Sequence, residues 1–149
     1  MKNNFVGNLK KLRSKTGLQE RFLVVEILNH VFVHQETIKN FFFVHEKELL
    51  ELKTSQIAYS NRTAKEILKR LSFVDKKIFT VIKKRPSNMI LNILRMGTLD
   101  MFIEKTPAYA SVFCAVELAK ITIKNKKSVG FVNGVLRSLE RQGDYDENL

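Results

Sequence analysis

With 149 residues the chain is long enough for one domain with a self-sufficient core, so neither disulfides nor a structural metal are required to hold it. Its 26 Lys and Arg against 15 Asp and Glu give a formal net charge of +11, which favours phosphate-bearing partners. A single cysteine, Cys114, excludes an internal disulfide.

The positive charge is concentrated. Residues 1–21 hold six basic groups and one acid, residues 62–85 nine and two, and residues 120–137 five and none, while the C-terminal "GDYDENL" is acidic. Such blocks attract nucleic-acid backbone and release its counterions. A solvated lysine-rich surface would give the same composition, so charge alone leaves both readings open. No apolar run approaches a membrane span, and no signal-peptide core is present, so a cytoplasmic protein with no membrane partner is expected.

Apolar residues recur at helical spacing almost throughout, strand-like alternation is absent, and only two prolines and six glycines interrupt the chain, which predicts an all-α fold of six to eight helices. The divisions expected are a basic N-terminal segment at residues 1–15, for which a solvated tail is the alternative, one helical domain at 16–142, and an acidic tail at 143–149.

In chain order, the first strong pattern runs from Gly17 to His34. Leu18, Phe22, Val25, Leu28 and Phe32 trace one stripe, and Val24, Ile27 and Val31 widen it, so this helix should lie deep in the bundle. "ETIKNFFFVHEKELLELK" predicts one or two short helices, although "FFFV" alone also suits a strand. Ala64, Ile67, Leu68 and Leu71 form one face of a helix whose other side carries Arg62, Lys65, Lys69 and Arg70 beside Glu66. Ser72 followed by Asp75 has capping-box spacing and predicts a new helix start, with Val74, Ile78, Val81 and Ile82 inward and Lys76, Lys77, Lys83 and Lys84 outward.

Pro86 and Ser87 end that helix and open the next, where Ile90, Ile93, Leu94, Gly97 and Met101 share a face. Glycine there costs roughly 1 kcal/mol against alanine unless it admits another helix, so Gly97 is expected to be a packing contact. Thr106 suits an N-cap and Pro107 the first helical position. Val112, Val116, Ala119 and Ile123 follow on one face. "KNKKS" breaks the helix, Ser128 is expected to cap another, and Val132, Val135, Leu136 and Leu139 give the last apolar face before Gly143 stops it.

No catalytic constellation emerges. His30 and His34 stand four apart with His45 near in sequence, but no Cys or acidic partner completes a metal set. Glu104 and Glu117 read as surface or capping carboxylates. Cys114, in apolar "SVFCAVEL", reads as an inert buried thiol. Asn133, Arg137 and Arg141 make a polar stripe on the final helix.

"AVELAK" (Ala115 to Lys120), a short loop, then "FVNGVL" (Phe131 to Leu136) resembles the NusB family of small helical RNA-binding proteins. The wider set "LRMG", "TPAYAS" and "GFVNGVLRSLER" is similar to the NusB-like N-terminal domain of the RsmB/Sun class of ribosomal-RNA cytosine-5 methyltransferases. The likeness is densest from about Arg62 to Arg141. Where NusB proper usually reads Ile-Asn-Glu, this chain has Val112-Phe113-Cys114. It also has no G-x-G turn and no cysteine motif of the methyltransferase type, so no S-adenosylmethionine, no other cofactor and no catalysis are expected.

The resemblance implies RNA, ribosomal or nascent, as the ligand, and it places the contact at the basic N-terminal region: Lys10, Lys11, Arg13, Lys15 and Arg21. The other basic blocks add Lys65, Lys69 and Arg70, and Lys124, Lys126 and Lys127, as backbone contacts. Tyr109 and Tyr59 are the candidate rings for stacking, with burial of either as the alternative. Three classes follow: a non-catalytic RNA-binding module, a helical protein-interaction module with a ribosomal or transcription-elongation partner, or a substrate-recognition subunit for an rRNA methyltransferase. The oligomeric state is left open.

Overall fold

The structure, a computed structural model, describes residues 4–143. Among them the backbone forms eight α-helices and one 3-10 helix, with no strand. The all-α class and the helix count agree with the apolar periodicity. The fold divides into two compact units, with the boundary between Lys65 and Glu66.

The first unit holds α1 (Phe5–Lys11), α2 (Leu18–His34), α3 (Ile38–Val44), a 3-10 turn (Glu48–Glu51) and most of α4 (Thr54–Lys69). Every residue of α2 from Phe22 to Leu28 is buried, as its broad apolar surface predicts. Gly17 starts this helix with φ 80, in the left-handed region where glycine has no Cβ penalty. At the other end Gln35 takes φ 55 and closes the last turn by donating its N–H to the His30 carbonyl. "FFFV" is helical: Thr37 caps α3 by accepting from Asn40 N at 2.9 Å, and of the three phenylalanines only Phe41 is fully buried. Phe5 and Leu9 of α1 and its C-cap residue Leu12 are buried, and the Phe5 ring lies 5.6 Å from Phe22 and 4.5 Å from His45.

The second unit contains α5 (Leu71–Val81), α6 (Asn88–Phe102), α7 (Ala108–Thr122) and α8 (Lys126–Gln142). Helix α6 is buried from Leu91 to Phe102 and packs against α5, α7 and α8. Ser87 opens it by accepting from Ile90 N, as expected. Gly97 is the predicted close contact: a Cβ there would stand 2.9 Å from Leu136 Cδ1 on α8. Gly143, with φ 77, stops α8. The rest of the acidic stretch predicted at 143–149 lies outside the described residues.

Seven local expectations are corrected. Helix α5 begins at Leu71, so Ser72 lies within its first turn and makes no capping bond. Asp75 instead grips Arg95: its two oxygens accept from Arg95 Nε and Nη2 at 2.8 Å each, and Arg95 Nη1 donates to Asn92 Oδ1 at 2.9 Å. Lys77 points inward and is 1% exposed, with Nζ 3.9 Å from the Phe102 ring centre and donating to the Gly143 carbonyl at 3.3 Å. Thr106 spends its N–H on the Asp100 carbonyl at 2.9 Å, which closes α6, and Pro107 takes the N-cap position of α7. Asn125, not Ser128, caps α8, its side chain accepting from Lys127 N and Ser128 N. Finally, Glu117 is buried rather than superficial and pairs with Lys120 at 2.9 Å, while Cys114 is only half-buried.

Candidate nucleic-acid interface

Within the first unit, Lys10 and Lys11 occupy the last turn of α1, the negative end of its dipole, where cations are favoured. Both are exposed, as are Arg13 and Lys15 in the following turn. Lys10, Arg13 and Lys15 are brought together with Lys53 around a cleft of about 410 Å³ that also presents Ser14, Thr16 and Gln56. Three carboxylates, Glu20, Glu48 and Glu51, line the same cleft, so it is of mixed charge. Arg13 pairs with Glu51 at 3.1 Å, both well exposed, a pair worth at most about 1 kcal/mol. The hydrogen bond with His45, at 3.1 Å, holds the Glu48 carboxyl below its usual range.

Arg21 is directed elsewhere. Its Nη1 donates to the Gly17 carbonyl at 3.1 Å, and its guanidinium lies 5.7 Å from the Tyr59 ring centre, the same distance as Arg62. Tyr59 is therefore half-buried among cations and is not an open stacking ring.

On α4, Arg62, Lys65 and Lys69 are exposed at three- and four-residue spacing, which puts them on one face. Arg70 is half-buried and turned to Glu66, whose carboxyl it holds below the ordinary value chiefly through their hydrogen bond. In the second unit, Lys124, Lys126 and Lys127 are gathered and exposed where α7 passes into α8. Lys124 adopts φ 67, and the first turn of α8 has two lysines and no acid. The amino end of a helix dipole is positive, so lysines there are unfavourable in isolation and an anion is favoured.

Three exposed phenylalanines, Phe43 (75% exposed), Phe113 and Phe131, were missed by sequence reasoning. Tyr109 is 73% exposed as expected, and Phe113, one turn on along α7, is 58% exposed. Phe113 lies between the inward-facing Val112 and Ala115, and that phase is the signal that could have found it. Phe131 on α8 is 38% exposed and sits beside Lys83, Lys84 and Arg141 in a shallow groove. His30 engages Asn40 at 2.7 Å. Among the described residues no three His, Cys, Asp or Glu side chains are arranged for a metal, and no helix is long and apolar enough to cross a membrane.

A helical scaffold with exposed lysine groups and a pair of open rings defines a class of basic all-α module. The chain belongs to the NusB family, whose model matches residues 18–141. It is 31% identical over 126 residues to a transcription antitermination protein NusB from Clostridium acetobutylicum, covering 81% of this chain and 92% of that protein. A shorter segment of 55 residues is 44% identical to a probable ribosomal RNA small subunit methyltransferase B from Bacillus subtilis, covering 36% of this chain and 12% of that protein.

Proposed function

We propose that this protein is a non-catalytic RNA-binding module of the NusB type, acting on ribosomal or nascent transcripts. The observation that carries the reading is the lysine group Lys124, Lys126 and Lys127 gathered at the positive end of α8 with no acidic residue between 120 and 137. Such an arrangement is repulsive until an anion arrives, and a polymer of phosphates supplies several at once. Lys10, Lys11, Arg13, Lys15 and Lys65 in the first unit, and Lys69 at the end of α4, are also exposed and are further candidates for backbone contact. Arg21 and Arg70 contribute less, because each is held by neighbouring protein groups.

The extent of the likeness favours this reading over a methyltransferase part. Nearly the whole of the antitermination relative is matched, against a small fraction of the methyltransferase. The 44% identity to that methyltransferase keeps rRNA among the expected ligands. A ribosomal or elongation-factor protein is the expected co-partner.

The test is binding to single-stranded rRNA fragments over a range of salt. Affinity should fall linearly on log–log axes, and replacing Lys124, Lys126 and Lys127 by alanine should lessen the slope by about two units, at ~0.7 per phosphate contact on a single strand. An unchanged slope in a folded variant would remove these lysines from the interface.

A further inference from the structure

On α7, Tyr109, Phe113, Val116 and Lys120 fall within about 60° of one another around the helix axis, at 100° per residue. The first two rings are 73% and 58% exposed, Val116 is half-buried, and Lys120 is exposed beside the buried Glu117 that it pairs with at 2.9 Å. The chain then runs into Lys124, Lys126 and Lys127. Two open rings therefore stand about 6 Å apart along the axis and lead, about 10 Å further on, to Lys120, four residues before Lys124.

Apolar area of this kind normally seeks a cover. A continuous apolar stripe would suit a partner helix, but this one passes into cations after a single valine. Its charge is complementary to a polyanion whose units also carry flat faces. Duplex RNA offers phosphates without open base faces, whereas a single strand offers both.

We infer that the Tyr109–Phe113 face stacks two neighbouring bases of single-stranded RNA whose backbone continues over Lys120 to Lys124, Lys126 and Lys127. The inference rests on the RNA-binding reading above and names the residues that take its bases. The lysines supply salt-dependent affinity, and the rings supply preference for unpaired bases.

The experiment uses the full chain with a single-stranded 12-nucleotide RNA and the same sequence as a duplex. Tyr109→Ala and Phe113→Ala should each weaken single-strand binding roughly 5- to 150-fold, leave the salt slope unchanged and barely alter duplex binding. Phe113→Tyr should retain affinity, and because both rings are exposed, circular dichroism should show every variant folded. If the double alanine variant binds the single strand as the parent does, while the lysine variant loses slope, the stacking face is overturned and the RNA-binding reading stands. Loss of single-strand and duplex binding in equal measure would also overturn it, as would loss of a protein partner with RNA binding intact. If the parent chain binds neither RNA, both readings fall.

Discussion

Arg95 has almost no contact with solvent, and Asp75 holds it by a two-pronged bond. Removing the carboxylate takes two charge-assisted hydrogen bonds from a buried guanidinium, so Asp75→Ala is expected to cost about 3 kcal/mol in thermal or denaturant unfolding. A loss below about 1 kcal/mol would mean that Asn92 and water suffice. This pair was not legible in the sequence. Its members are twenty residues apart, and the Ser72–Asp75 spacing invites a local explanation that the folded chain does not use. Lys77 was hidden for a related reason: its neighbours Lys76 and Lys84 are exposed, and nothing in a helical pattern shows that Phe102 lies within reach of its ammonium.

Helices as units were much more legible than their ends. The stripes of α2 and α8 and the close approach at Gly97 follow from which residues are apolar and small, which is a periodic property. Caps depend on where one side chain hydrogen-bonds, and Thr106, Ser128 and Asn125 are all competent to cap. Two glycines on packed helices give opposite expectations. Gly97→Ala should destabilise by about 1–3 kcal/mol, since the buried Leu136 must shift, despite alanine's better helix propensity. Gly134→Ala on α8 meets nothing within 4 Å and should stabilise by about 0.5–1 kcal/mol. Denaturation midpoints of the two variants, moving in opposite directions, check the pair.

At the scale of the molecule, a net charge of +11 makes stability and binding respond to pH and salt together. Arg70 depresses the Glu66 carboxyl in the folded chain, so the pair stabilises above the ordinary carboxylate range and loses that effect as pH falls through the lowered value. Melting temperatures of the parent and of Glu66→Gln should therefore differ near neutrality and converge between about pH 5 and pH 3. A gap that persists in acid would rule the ion pair out as its cause. The basic blocks themselves were legible from composition. Their availability was not: that Arg21 lies against Tyr59, that Arg70 is turned to Glu66, and that three carboxylates share the cleft with Lys10 all depend on tertiary placement.

Lys124 stands in a backbone conformation that favours glycine, at a cost of about 1 kcal/mol. Lys124→Gly should raise the melting temperature and weaken RNA binding in the same protein, reducing the salt slope by under one unit. Selection for thermal robustness alone would replace this lysine, so a stabilised library screened without RNA should discard it early, and one screened with RNA should keep it.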